Sequence, residues 1–185
     1  RYPSKNEPPA DQLEPGSGPQ VLPGEYWVKV KYMDYTDSVK VKVLDDPRLN
    51  ITAADSNARN AAVRDLYQTV ERSTKAYDRL KEAEKTIKMI EEQFVNVPKK
   101  KKKEVIKLGV TLRDSINNLK EKFFQHKEVK GIQRNPDVLT ARFRKAMGYI
   151  YGGQGAPNAT AQIAVTEAKR EAEALIEQVN TLFDT

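Results

Sequence analysis

Few side chains in this sequence could carry covalent chemistry. There is no cysteine and a single histidine, His126. The first shortage rules out disulfides, thiol nucleophiles and cysteine metal sites; the second disfavours Ser-His-Asp relays and two-histidine metal sites. His126 falls near a helix end, where an imidazolium would interact with the helix dipole rather than act on a substrate. The carboxylate pairs Glu82/Glu84 and Glu91/Glu92 stand among lysines at helical spacing. A glycosidase pair must converge across a cleft, whereas these read as solvated, ion-paired helix positions. Gly152-Gly153-Gln154-Gly155 matches neither the P-loop nor the dinucleotide pattern, and no strand precedes it, so it reads as an interhelical loop. No residue is therefore assigned to catalysis, to a metal or to a cofactor.

Two groups of residues could instead make an interface. The run Lys99, Lys100, Lys101, Lys102, Lys103 could contact phosphates or acidic lipids. No aromatic residue interleaves with it and no nucleic-acid motif accompanies it, so a solvated loop and first helical turn are the simpler reading, and nucleic acid is disfavoured as a partner. Trp27 and Tyr26, with Tyr32 and Tyr35, form an aromatic cluster that could anchor a partner or stack on a sugar. Tyr149 and Tyr151 are a weaker pair of the same kind.

Composition is polar but still globular in class. The 185 residues are 38% hydrophobic and 31% charged, a balance suited to thin helices with wide solvated faces. No run reaches the roughly 18 apolar residues of a membrane span. Net charge is +6, but residues 1–50 carry 7 Lys/Arg against 8 Asp/Glu, so the excess lies in the remainder and largely in the one lysine run. The chain starts at Arg1 without a methionine, which suggests a fragment or a processed product.

These residues must be held by elements that the pattern makes visible. Six of the ten prolines lie in the first 23 residues, so Tyr2 to Gly24 is expected to be extended or looped. Glu25 to Met33 alternates Val28, Val30 and Tyr32 with Lys29 and Lys31; Val39, Val41 and Val43 alternate with Lys40 and Lys42. With turn residues from Asp34 to Asp37 this is a β-hairpin with one valine face and one lysine face. An isolated hairpin is marginal in water, so its valine face calls for further strands or a helix.

The period changes after Asp45-Asp46-Pro47-Arg48. Thr52-Ala53-Ala54-Asp55 resembles a capping box, and a long helix to about Asn96 follows, with Val63, Leu66, Val70, Tyr77, Leu80, Ile87, Ile90 and Phe94 on one stripe. Such a helix would span roughly 65 Å. A second, from about Lys100 to Gln125, carries Val105, Leu108, Leu112, Ile116, Leu119 and Phe123; Gly131 follows it. Asn135-Pro136 is placed as the cap and first residue of a short third helix bearing Leu139, Phe143, Met147 and Ile150. Pro157-Asn158 opens a last helix with a heptad seam of Ala161, Val165, Ala168, Ala172, Leu175, Val179 and Leu182. Short connections imply antiparallel neighbours. The expected class is α+β, mainly α: residues 1–48 a proline-rich segment and hairpin, residues 49–185 an elongated antiparallel bundle of about four helices.

The order Arg1-Tyr2-Pro3, then Gly18-Pro19-Gln20-Val21-Leu22-Pro23-Gly24-Glu25-Tyr26, then Asp46-Pro47-Arg48 before a long capped helix resembles the C-terminal region of large bacterial proteins with sortilin-like or BNR-repeat β-propellers. These are common in Bacteroidetes and often labelled glycosyl hydrolases. The resemblance implies that the hairpin belongs to an immunoglobulin-like β-domain, that a propeller precedes it and holds any sugar-binding or catalytic residues, and that the location is extracytoplasmic. No propeller residue has a counterpart here, so none is carried over. The resulting expectation is a non-catalytic accessory module that docks on its upstream propeller or on another envelope protein, or that forms a homo-oligomer. The alternatives are an anionic-surface module using Lys99–Lys103, or a component of a glycoside hydrolase whose active site lies upstream.

Overall fold

The structure, a computed structural model, describes residues 21–93, 99–124, 137–153 and 155–184. The expectations made for the proline-rich start before residue 21, Phe94, Asn96, Gln125, His126, Gly131, Asn135-Pro136 and Gln154 lie outside those residues, as do the side chains of Lys99–Lys102. The described chain is mainly helical, with a two-stranded antiparallel sheet: β1 (Gly24–Tyr32), β2 (Tyr35–Val43), α1 (Ala53–Gln93), α2 (Lys99–Phe123), α3 (Leu139–Gly152) and α4 (Ala159–Asp184).

The strands pair from Gly24 opposite Val43 to Tyr32 opposite Tyr35. The turn is therefore only Met33-Asp34, not the longer Asp34–Asp37 segment read from the sequence. Met33 leaves the strand at a left-handed φ of 51°, and Thr36 and Asp37 belong to β2. Turn chemistry spread over Asp34, Thr36 and Asp37 concealed this, because the two-residue loop places a methionine where glycine or asparagine is usual.

α1 starts at a reciprocal cap. The Asp55 amide donates to Thr52 Oγ1 at 3.1 Å, the Thr52 amide donates to Asp55 Oδ2 at 3.2 Å, and the Thr52 hydroxyl donates to the same carboxylate at 2.7 Å. Two orphan amides are thus satisfied, as in a capping box with Asp in place of Glu. α4 starts with Asn158, whose Oδ1 accepts the Ala161 amide at 2.9 Å. α3 begins later than the Asn135-Pro136 signal suggested: Val138, extended and without a side-chain cap bond, precedes Leu139.

Polar contacts fix the helix directions. Glu91 meets Arg113 and Glu84 meets Lys120, so α1 and α2 are antiparallel. Asp65 meets Lys169, Arg72 meets Glu173 and Arg79 meets Asn180, so α4 runs parallel to α1. Arg59 near the start of α1 reaches Gly153 and Gly155 past the end of α3, so α3 runs antiparallel to α1. α2 and α3 consequently point the same way, a departure from the expectation that every consecutive pair is antiparallel. Where one helix hands over to the other, the Thr140 hydroxyl donates to the Phe123 carbonyl at 2.9 Å. The bundle is a three-rod stack: α1 up, α2 then α3 down, α4 up.

The core follows the rods. Leu66, Val70, Leu80, Ile116, Phe123, Phe143, Ala146, Ile150, Ala168, Ala172 and Val179 are all buried, each large side chain contributing roughly 1.5–3 kcal/mol of burial. Tyr77 meets Phe123 and Phe124 edge-on, with ring centroids 5.4 and 4.7 Å away. Thr69 and Ser73 are buried on α1; each returns its hydroxyl to the carbonyl one turn back, so neither is left unsatisfied. Their small size matches Ala161, Ala164, Ala168 and Ala172 along α4.

Two stripe positions depart from the sequence reading. Ile90 is 42% and Leu108 61% exposed, although both continue apolar repeats. In α2 the seam passes through buried Gly109 rather than Leu108. Side chains of α1 lie directly over the glycine: a Cβ there would stand 2.5 Å from Glu91 Oε1 and 3.4 Å from Ile87 Cγ2.

Candidate functional site

The pleat sorts the hairpin side chains. Directly opposed residues share a face, so Tyr26, Val28, Val30 and Tyr32 lie with Tyr35, Asp37, Val39, Val41 and Val43. Glu25, Trp27, Lys29 and Lys31 lie with Thr36, Ser38, Lys40 and Lys42 on the other face. The aromatic cluster expected from the sequence is divided by this arrangement: Trp27 is separated from the three tyrosines by the thickness of the sheet. Tyr26 is half-buried and donates its hydroxyl to the Leu22 carbonyl at 2.6 Å, which makes it a brace for the approach to β1. Trp27 is exposed, beside four lysines of which Lys40 pairs with Glu25 at 2.6 Å.

The valine face is the larger surprise. Val41 and Val43 near the base are half-buried, but Val30 is 62%, Val39 58% and Tyr35 81% exposed. Among the described residues no helix covers the outer two thirds of this face. Contiguous exposed apolar surface of this kind marks a docking face more often than a free one, and both strand edges carry unpaired backbone groups.

At the hairpin's base, Leu22, Val43, Leu49, Ile51, Val63 and Tyr151 line a cleft against the first turns of α1. Two of the charged groups that line it, Arg59 and Asp46, are engaged in holding structure. Arg59 Nε donates to the Gly155 carbonyl at 3.0 Å and Nη2 to the Gly153 carbonyl at 3.2 Å. The Thr52 hydroxyl and amide hold the Asp55 carboxyl below the usual carboxylate range, assisted by the Ala156 amide. Asp46 is lowered likewise by the Arg48 guanidinium. Gly153 and Gly155 thus turn their carbonyls toward a cation, the opposite of a phosphate cradle.

The lysine run begins α2, and Lys103 is exposed. It lies at the far end of α1 from the hairpin, about 60 Å away along a 41-residue helix. Trp27, Tyr26 and Lys99–Lys103 therefore do not make one site. The carboxylates weighed above are dispersed: Glu84 pairs with Lys120 and Glu91 with Arg113, while Glu92 is exposed. Among the described residues no group of three His, Cys, Asp or Glu could hold a metal ion, and no helix is long and apolar enough to cross a membrane. Comparison with known protein families, characterised proteins and solved structures gives no match.

Proposed function

We propose that this chain is a non-catalytic assembly module, in which a rigid helical bundle carries a β-hairpin whose valine–tyrosine face docks on further β-strands of a larger protein. The observation that carries the reading is the uncovered face itself, with Val30, Val39 and Tyr35 more than half exposed. A two-stranded sheet with one apolar face gains independent stability only when more strands or a packing layer join it. The resemblance noted above supplies the candidate context: an immunoglobulin-like domain completed by upstream strands, behind an extracytoplasmic propeller that would hold any glycan chemistry. Dispersal of the carboxylates into helix-to-helix ion pairs supports a bracing role over a hydrolytic one.

The test uses the absence of native cysteine in this chain. A Val30→Cys residue should react rapidly with a maleimide in the chain alone. In the protein isolated from its source cells it should be protected at least tenfold, about 1.4 kcal/mol of covering. Lys31→Cys, on the opposite face, should react in both. Equal reactivity of Val30→Cys in both preparations would refute the docking role.

A further inference from the structure

Every lysine of the hairpin lies on one face. Lys29 and Lys31 of β1 and Lys40 and Lys42 of β2 share it with Trp27 and Glu25, while the opposite face has no basic residue. The register sets Lys29 against Ser38 and Lys31 against Thr36, so these two lysines add no cross-strand charge pair to the sheet. Lys40 takes the one acid of the face, Glu25, at 2.6 Å. Four lysines against one glutamate leave the face a net +3. Lysines on an exposed hairpin can serve simply to stop it pairing edge to edge, but the residue in their midst does not serve that end. Trp27 stands directly opposite Lys40 and is 70% exposed, although tryptophan is a side chain that proteins usually cover.

We propose that this face seats on an anionic bilayer surface, with the Trp27 indole at headgroup level and the lysine ammonium groups among the lipid phosphates. Tryptophan is enriched at membrane–water interfaces, and lysine lays its stem along apolar matter while its charge reaches the polar layer. Charge complementarity selects an anionic surface. Shape and residue choice select that surface over a strand of nucleic acid or an acidic peptide. A two-stranded ribbon offers no walled groove, and one aromatic side chain cannot stack successive bases. The hairpin has no arginine, so nothing on it forks onto a single phosphate or carboxylate; its four point charges suit a diffuse field. The seat uses the face opposite the valines, so it is independent of the docking role and stays available when further strands cover Val30 and Val39.

Trp27 is the single tryptophan of the chain, so its emission reports this face alone. Added to the full chain, vesicles of three parts phosphatidylcholine to one part phosphatidylglycerol should shift that emission to the blue; vesicles of phosphatidylcholine alone should not. The shift should vanish as salt rises from about 0.05 to about 0.5 M. Each lysine near an anionic bilayer adds roughly fivefold in affinity, so Lys29→Gln/Lys31→Gln/Lys42→Gln should weaken binding about 100-fold. Ser38→Lys adds a lysine to the same face and should strengthen binding about fivefold. Val39→Lys puts the same charge on the other face and should leave it unchanged. No shift with the anionic vesicles, an equal shift with both kinds, a triple variant that binds like the native chain, or an equal gain from Ser38→Lys and Val39→Lys would each overturn the proposal. A thymidine oligonucleotide that quenches Trp27 at a lower concentration than the lipid requires would overturn it too, and would make nucleic acid the occupant.

Discussion

Met33 occupies a left-handed conformation, φ 51°, that costs an L-residue with a Cβ roughly 1–2 kcal/mol. A glycine there removes that cost but loosens the unfolded chain, so Met33→Gly should steady the hairpin by about 1 kcal/mol. The check is amide exchange of β1 and β2, which should slow about fivefold while the bundle amides are unaffected. Asp55 makes a second residue-scale prediction. Its carboxyl is held low by the Thr52 hydroxyl and amide. A carboxyl with a depressed folded pKa contributes stability above its unfolded value, near 3.9, and loses it as pH falls through the folded value. The thermal midpoint of the native chain should therefore exceed that of Asp55→Asn at pH about 6, and the gap should close on titration below pH about 4.

Among the elements, the α1–α4 contact depends on small residues. Ala168 and Ala172 are fully buried along α4, so Ala172→Leu inserts a side chain where there is no space and should cost about 1–3 kcal/mol, read as a lower urea midpoint at unchanged slope. The α4 seam was legible because every member of its heptad is apolar or alanine, and the caps at Thr52 and Asn158 were legible because their side-chain oxygens accept amide protons at fixed offsets. Ile90 and Leu108 were not. An apolar repeat looks the same whether or not a third helix lies beside it. Gly109 was missed for a different reason: with no side chain it has no hydropathy, yet it is where α1 and α2 come close enough for Glu91 to lie over it. On the hairpin, alternation revealed both faces and set Trp27 with Lys29 and Lys31, opposite Val28 and Val30; the place of Tyr35 required the register.

At the scale of the whole molecule, α1 separates two uncovered surfaces by most of its length. The hairpin exposes valines and tyrosines at one end, and α1 and α2 expose Ile90 and Leu108 toward the other, with the three-rod core between them. Under the proposed function, the exposed hairpin face is where the chain joins other pieces. The most direct measurement of that claim is hydrogen–deuterium exchange across β1 and β2, in this chain alone and in the protein taken intact from its source cells. In the chain alone the strand amides should exchange within seconds, while the amides around Leu66, Leu80 and Val179 stay protected. In the intact protein the strand amides should slow at least a hundredfold. Rapid exchange of the strands in both preparations would contradict the account, because a hairpin that nothing covers docks on nothing.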